Sequence, residues 1–200
     1  ETNGFRPNND QNHNIYNAFI QHAVTSKFNI QAEVRRREKE HGDIELDFNP
    51  KSFHPENRKA VKEDSVRLGA RYAISPNQDL IISGVFGNFN VVDTFLPPPP
   101  PFPIPGYPDK PIDSKITTHR YQAEIQHLFR ERFFNLTTGG GTYRIEASNQ
   151  TPPSIDTTYR RDNVYVYSNW NLPKNIIATI GVGYNASRTV DSADKDGDPR

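Results

Sequence analysis

The residues of this sequence with the clearest chemical potential are charged side chains spaced so that they lie on one face of a β-strand. They alternate with apolar residues in extended segments, so residues two or four positions apart lie on the same face. The set comprises Glu33, Arg35, Arg67, Arg71, Glu124 and Arg130. Its arginine excess would favour anions along that face. The same charges can instead pair across neighbouring strands as a structural ladder, and the sequence leaves both interpretations open.

A metal site is only weakly indicated. The tail SADKDGD places Asp194, Asp196 and Asp198 around a glycine, which resembles the first half of a calcium loop. The bidentate glutamate that completes such a loop is not among the residues that follow. The six histidines lack a paired ligand spacing, and the sequence has no cysteine. We therefore expect no resident metal and no cofactor.

Signatures of enzymes and of nucleic-acid binders are also missing from the sequence. It contains no nucleophile elbow and no phosphate loop, and His119 with Ser114 or Asp113 is only a loose candidate for a catalytic pair. The formal net charge is +0, whereas a nucleic-acid partner requires a basic excess on one face. We expect a chain that is not an enzyme and binds no nucleic acid.

The elements that position the charged face are β-hairpins, which a period of two in the apolar residues predicts. In NVYVYSNWNLPKNIIATIGVGYN, 163–185, Val164, Val166 and Trp170 share one parity before Pro-Lys-Asn, and Ile176 to Tyr184 resume it afterwards. Three further segments repeat the unit: YNAFIQHAVTSKFNIQAEV, SVRLGARYAISPNQDLIISGVFGNF and YQAEIQHLFRERFFNLTTGGGTYRIE. Four such hairpins predict an all-β, antiparallel, up-and-down chain of about eight strands.

The connections between these strands alternate in length. Short joins are expected at 25–27, 75–79, 130–132 and 173–175, and long polar ones at roughly 40–63, 96–116 and 149–162. The segment HPENRKAVKEDS suggests a helical turn. The glycine run 139–141 predicts a bulge or a bend, because the parity of the apolar residues switches across it.

Three features favour a transmembrane β-barrel over a β-sandwich. The apolar runs have the length that a tilted strand needs to cross a bilayer, about 9–11 residues. Short turns on one side and long loops on the other are typical of barrels in the outer membrane. Aromatic and histidine side chains near the short turns predict a girdle at the membrane interface, formed by His22, Tyr72, His127 and Trp170. The polar strand faces would then line the lumen, which explains a mean hydropathy of −0.81.

The domain organisation follows from this topology. Residues 1–200 are expected to form one barrel segment whose two ends lie on the long-loop side, so that the remaining strands of a larger barrel pair with its edges. The Pro-rich stretch 96–116 is expected to be a stiff external loop that offers Phe102 and Tyr107 to a ligand. Residues 191–200 are expected to be an acidic loop or a cut end.

At this point the strand and turn patterns resemble a known class. HNIYNAFIQHAVTSKFNIQAEVRRREKEHGDIELDFNP, SVRLGARYAISPNQDLIISGVFG and DNVYVYSNWNLPKNIIATIGVGYNASRT are similar to barrels of Gram-negative outer-membrane proteins. The resemblance is to large barrels that follow tetratricopeptide repeats or that are described as similar to TonB-dependent receptors. It covers essentially the whole chain and implies location in the cell outer membrane, but it carries no residue role.

The functional expectation is passage or reception of a solute or polymer across the outer membrane, in the manner of a porin or a receptor. The expected partners are outer-membrane lipids and lipopolysaccharide, whose phosphates Arg36 would meet at the outer boundary. The alternative is a secreted or surface-exposed all-β binding module, an adhesin-like sandwich whose apolar faces pack on one another.

Overall fold

The computed structural model describes residues 8–43, 54–97, 101–102, 104–150, 155–173 and 176–193. Its strands are β1 (Gln11–Ala23), β2 (Phe28–His41), β3 (Arg58–Ser75), β4 (Gln78–Phe95), β5 (Ile112–Arg130), β6 (Phe134–Asn149), β7 (Ile155–Leu172) and β8 (Ile176–Ala193). They form one sheet in chain order, and each strand is antiparallel to its neighbours. The prediction of an all-β, up-and-down fold with eight strands in four hairpins is confirmed.

The strands are longer than the apolar runs that predicted them. β3 begins at Arg58 and β7 begins at Ile155, within segments that the sequence pattern had assigned to long loops. The third long connection, expected at about 149–162, therefore shrinks to residues 150–154. The cause is pairing rather than hydrophobicity, because these polar extensions have a partner strand on each side that satisfies their backbone groups.

Three local predictions are wrong. The expected helical turn in HPENRKAVKEDS is mostly the start of β3, which pairs with both β2 and β4. The run 139–141 contains no bulge, since β6 keeps an unbroken register with both neighbours, and the shift in register lies at Ala73/Ser75 instead. Strands also replace two predicted loop ends, because β5 begins at Ile112, inside 96–116, and β8 continues to Ala193, inside 191–200.

Register divides the side chains between two faces of the sheet. We call the face that carries Ile20, Ala32 and Leu68 the apolar face, since antiparallel partners share a face and these three are successive partners. The opposite face, which carries Glu33 and its partner Arg67, is the polar face. A row is a line of such partners that crosses the sheet from β1 toward β8.

The sheet has almost no protein core on either face. Among the described residues Val91 is the single buried hydrophobic side chain, whereas Ile180 and Val182 on the apolar face are 68% and 72% exposed. The principal packing is between strands that are consecutive in the chain, so no second layer covers the apolar face within the described ranges. This arrangement does not match the sandwich alternative. The described residues include no helix with the length and hydropathy needed to span a membrane.

Candidate functional site: a charged face and an inclined apolar belt

The six charged residues predicted to line one face do lie together on the polar face. The strands place nine basic and six acidic side chains there. The basic ones are Arg35, Arg37, Lys39, Lys59, Arg67, Arg71, Arg120, Arg130 and Arg161, and the acidic ones are Glu33, Glu63, Asp79, Asp93, Glu124 and Asp191. The face therefore carries a positive excess, although several of its charges are paired.

The strongest pairing on the polar face centres on Asp79, near the short turns. Asp79 is only 2% exposed, and Arg71 donates to its two carboxylate oxygens at 2.9 and 3.0 Å. Arg130, fifty-one positions further along the chain, donates to the same carboxylate. Asp79 thus links the β3–β4 hairpin to β5. Arg71 and Arg130 therefore pair across neighbouring strands, which is the structural role that the sequence left open for the charged residues. Asp79 was missed because the short join was expected to extend to 79.

A depression of about 520 Å³ opens on the polar face toward the long loops. Glu63 lies in its wall and accepts from Arg37 at 2.8 Å and from Arg120 at 2.6 Å, while Arg67 approaches Glu33 at 3.4 Å. Its charged lining residues are Glu33, Arg35, Arg37, Glu63, Arg67 and Arg120. Four arginines against two glutamates make this depression positive.

Two arginines of the depression, Arg35 and Arg37, have guanidinium groups that are not fully paired by the described residues. Arg35 forms no ion pair with the described part of the chain, and the Nε of Arg37 is buried without a hydrogen-bond partner there. A nitrogen as buried as the Nε of Arg37 is not accessible to a solute, so the charge of the depression that remains open to an anion is that of Arg35. Glu63 and Arg120 were not predicted because they lie just outside the apolar runs that indicated the strands, Glu63 within the loop expected at 40–63 and Arg120 one residue before the run that begins at Tyr121.

Glu124, the remaining predicted charge, accepts hydrogen bonds from two neutral side chains. The hydroxyl of Tyr165 donates to its Oε1 at 2.6 Å, and Gln126 donates to the same oxygen at 2.9 Å. Tyr165 reaches that position because its ring lies over Gly139, where a Cβ would come within 2.6 Å of the ring. The glycine run therefore makes room for an aromatic ring rather than for a bend.

The large side chains of the apolar face form a belt, and its loop-side edge descends across the sheet. The edge is Tyr16 on β1, and on β2 to β5 it lies one row closer to the turns, in the row of Val34 and Tyr121. On β8 the continuous run of large apolar side chains ends at Tyr184, because Ala186 and Arg188 separate it from Val190. Tyr184 lies in the same row as His22 when the cross-strand partners are followed from β1 to β8. Because His22 is six residues closer to the turns than Tyr16, the loop-side edge falls by six residues between β1 and β8.

The turn-side edge of the belt descends in the same direction. It is marked by the four predicted girdle residues, His22, Tyr72, His127 and Trp170. Tyr72 and His127 share a row one step below His22, and Trp170 on β7 lies three rows, or six residues, below His22. Trp170 stacks on Phe134 with 5.1 Å between ring centroids, and Tyr72 meets Phe28 edge to face.

These two edges define the inclination of the belt. Six residues correspond to about 20 Å along a strand, and strands are spaced about 4.8 Å apart. The loop-side edge falls that distance across seven spacings and the turn-side edge across six, which gives angles of about 30° and 35° to the perpendicular of the strands. The belt is therefore a level band only if the strands themselves tilt by about the same angle.

The other predicted sites do not assemble. Phe102 is 77% exposed, whereas Tyr107 is half-buried and donates its backbone N–H to Ile104 at 3.1 Å, beside Gly106 with φ of 78°. His119 and Asp113 lie six residues apart on one extended strand, about 20 Å, so they form no catalytic pair. Asp194, Asp196 and Asp198 lie outside the described residues. No group of three metal-ligating side chains occurs in the described ranges.

A further ionic cluster, which was not predicted, joins β2, β3 and the residue before β1 at the long-loop end of the sheet. Arg58 at the start of β3 donates to both carboxylate oxygens of Asp10 at 3.2 and 3.1 Å and to Glu40 on β2 at 2.5 Å. The hydrogen bond from Arg58 lowers the pKa of Asp10 below its usual value. Asp10 precedes β1, so this cluster fixes the entry of the chain into the sheet.

The comparisons with known proteins give a likeness in structure but none in sequence family. No family model and no curated protein matches this sequence. The crystal structure of the ferric yersiniabactin uptake receptor FyuA from Yersinia pestis is similar, with a TM-score of 0.49 and 10% sequence identity. The match covers 90% of this chain and 34% of that receptor, so the chain spans about a third of the length of the receptor.

Proposed function

We propose that this chain is a wall segment of an outer-membrane β-barrel that serves passage or reception of an anionic solute or polymer. The observation that carries the proposal is the inclination of the apolar belt. Strands in transmembrane barrels tilt by about 35–45°, and a belt inclined by about 30–35° to the perpendicular of the strands would lie nearly level in such a wall. A surface that packs against protein has no reason to follow this angle along both edges.

Exposure of the apolar face supports lipid as its cover. Leu68 on β3 and Ile82 on β4, both interior strands of the sheet, are 57% and 49% exposed, and such side chains recur along the whole belt. An apolar surface of this extent is unfavourable in water but is the normal exterior of a membrane barrel. The unpaired edges of β1 and β8 also need partners in lipid, so we infer that further strands of a larger barrel complete the wall.

The polar face supports an anion as the solute. Its basic excess is concentrated in the depression around Arg35, Arg37 and Arg120, where two glutamates only partly balance the arginines. Charged side chains that line a lumen set the field felt by a passing ion, and a positive lining favours anions. The proposal assigns no catalytic step to any of these residues.

Neighbouring arginines on opposite faces provide the test. In planar bilayers under a potassium chloride gradient, we expect a reversal potential that indicates anion preference. Arg35→Glu should shift that potential toward cation preference, because Arg35 is on the polar face without an acidic partner in the described residues. Arg36→Glu, one residue away on the apolar face, should leave it unchanged. Equal effects of both changes, or no conductance at all, would contradict passage through this wall.

Solubility distinguishes the membrane assignment from the binding-module alternative. We expect the protein to require detergent and to migrate differently in electrophoresis before and after boiling, as a folded membrane barrel does. A protein that stays monomeric in detergent-free buffer, with the same migration before and after boiling, would contradict the barrel assignment independently of any conductance.

A further inference from the structure

The apolar face is not uniform, because small residues form a groove across β4, β5 and β6. Gly84, Ala123 and Thr142 are successive partners in one row, and Gly140 lies two residues from Thr142 on β6. Two depressions follow these residues, of about 760 and 810 Å³. Tyr121 and Phe86 flank the first, and Val164 and Tyr184 flank the second. The groove therefore has a floor of small, mostly apolar residues between larger apolar side chains.

Three arginines lie in one row at the loop-side end of this groove. Arg144 on β6, Arg160 on β7 and Arg188 on β8 are direct cross-strand partners. The same row on β2 to β5 is apolar, with Val34, Val66, Phe86 and Tyr121. Like charges directly opposite one another destabilise a sheet, so this row is unfavourable unless an anion lies between the guanidinium groups.

Acidic neighbours only partly balance this arginine row. Arg144 pairs with Glu146, and Arg160 donates from its Nε to Asp162 at 2.9 Å. Arg188 makes no ion pair within the described ranges, which leaves the cluster with three cations and two carboxylates. Both Arg144 and Arg160 line the first depression, so the apolar groove and the positive charge form one continuous surface.

Arg36, the arginine that the sequence singled out for a lipid phosphate, differs in this respect. It lies on the apolar face at the loop side, as predicted, but it already pairs with Glu38 at 2.7 Å and with Asp64 at 3.8 Å. Two carboxylates therefore balance one guanidinium at Arg36, whereas two carboxylates serve three guanidinium groups in the arginine row. The uncompensated charge lies at β6–β8.

The height of the arginine row matches a membrane boundary. Arg160 is ten residues above Trp170 on β7, and both lie on the apolar face. Ten residues span about 33 Å along a strand, or about 27 Å along the membrane normal at a tilt of 35°. The apolar band of an outer-membrane barrel is about 25 Å tall. Arg160 also lies four residues, or about 11 Å along the normal, beyond Val164, the partner of the belt-edge residue Tyr184. With Trp170 at one interface, the arginine row therefore lies just outside the apolar belt at the other, at headgroup level on the long-loop side.

We propose that the arginine row and the groove bind lipopolysaccharide, with a phosphate of its lipid A between Arg144, Arg160 and Arg188 and an acyl chain over Gly84, Ala123 and Gly140. The row spans two strand spacings, about 10 Å, which suits a sugar headgroup with two phosphates better than the single phosphate of a phospholipid. This site rests on the proposed function, because it requires the apolar face to contact the outer leaflet.

Binding of purified lipopolysaccharide to the detergent-solubilised protein tests the site. We expect Arg188→Gln to weaken binding about tenfold, which corresponds to about 1.4 kcal/mol, and Arg144→Gln with Arg188→Gln to weaken it further. Arg161→Gln is the matched control, because Arg161 follows Arg160 on the polar face and donates to Asn185 at 2.8 Å. Phosphatidylglycerol and inorganic phosphate are the competitors, and neither should displace the glycolipid.

Each outcome decides the proposal. Loss of binding in the two arginine-row variants but not in Arg161→Gln supports the site, provided that all three variants keep the boiling-dependent migration of the wild type. Unchanged binding in folded variants, or equal competition by phosphatidylglycerol, overturns it and leaves the barrel assignment intact. A wild-type protein that needs no detergent contradicts the proposed function itself, and with it this site.

Discussion

A lysine on the apolar face should lower the free energy of unfolding far more than the solvent exposure of that position implies. Leu68 is 57% exposed, and the side chain of its neighbour Arg67 on the polar face is 59% exposed. In water, a substitution at so open a position changes stability by about 0.5 kcal/mol or less. Leu68 lies four residues above Tyr72, about 11 Å along the membrane normal at a tilt of 35°, which is near the middle of a band about 25 Å tall. A lysine at that depth costs about 2–4 kcal/mol.

Denaturant unfolding of the protein in lipid vesicles measures this difference. We expect Leu68→Lys to lower the free energy of unfolding by about 2–4 kcal/mol. Arg67→Gln should lower it by about 1 kcal/mol at most, since that change removes only an exposed ion pair with Glu33. The reasoning is refuted if the two variants are equally stable, because both faces would then contact water.

Two further predictions concern the loop-side cluster and the glycines. The hydrogen bond from Arg58 lowers the pKa of Asp10 from its usual 3.8, so the stability that it contributes is present above about pH 4 and is lost as the pH falls through the lowered value. Thermal unfolding between about pH 5 and pH 2 should therefore show a steeper loss for the wild type than for Asp10→Asn, and parallel curves would contradict this. Gly181→Ala should destabilise by about 1–3 kcal/mol, because its Cβ would collide with the ring of Tyr167. In a Tyr167→Ser background the cost measured by denaturant unfolding should fall, and an unchanged cost would exclude the ring as its cause.

The hairpins were predictable because each has an apolar alternation and a short turn in its own sequence. The segment from Val164 to Tyr184 specifies two strands and the face that each residue occupies, and the structure confirms that assignment. Strand ends were not predictable in the same way. The first residues of β3 and β7 are mostly charged or polar and lack an apolar alternation, and pairing with β2, β4, β6 and β8 makes them extended.

The charged clusters depend on register between distant strands, which no local pattern encodes. Glu63 and Arg120 are fifty-seven positions apart, and Arg130 reaches Asp79 across fifty-one. The arginine row likewise requires Arg144, Arg160 and Arg188 to be aligned by two separate registers. The glycine run 139–141 was misinterpreted for a related reason, because the ring of Tyr165 that needs the space lies on another strand.

The central claim is that lipid covers the apolar face, and the single tryptophan of the chain allows a direct measurement. Quenching by lipids brominated at defined depths should place Trp170 at the headgroup boundary. In a Trp170→Phe background, Val166→Trp should lie about 10 Å deeper, whereas Tyr167→Trp, on the polar face, should be quenched by aqueous iodide and not by brominated lipid. Equal lipid quenching at 166 and 167, or none at either position, would contradict the account.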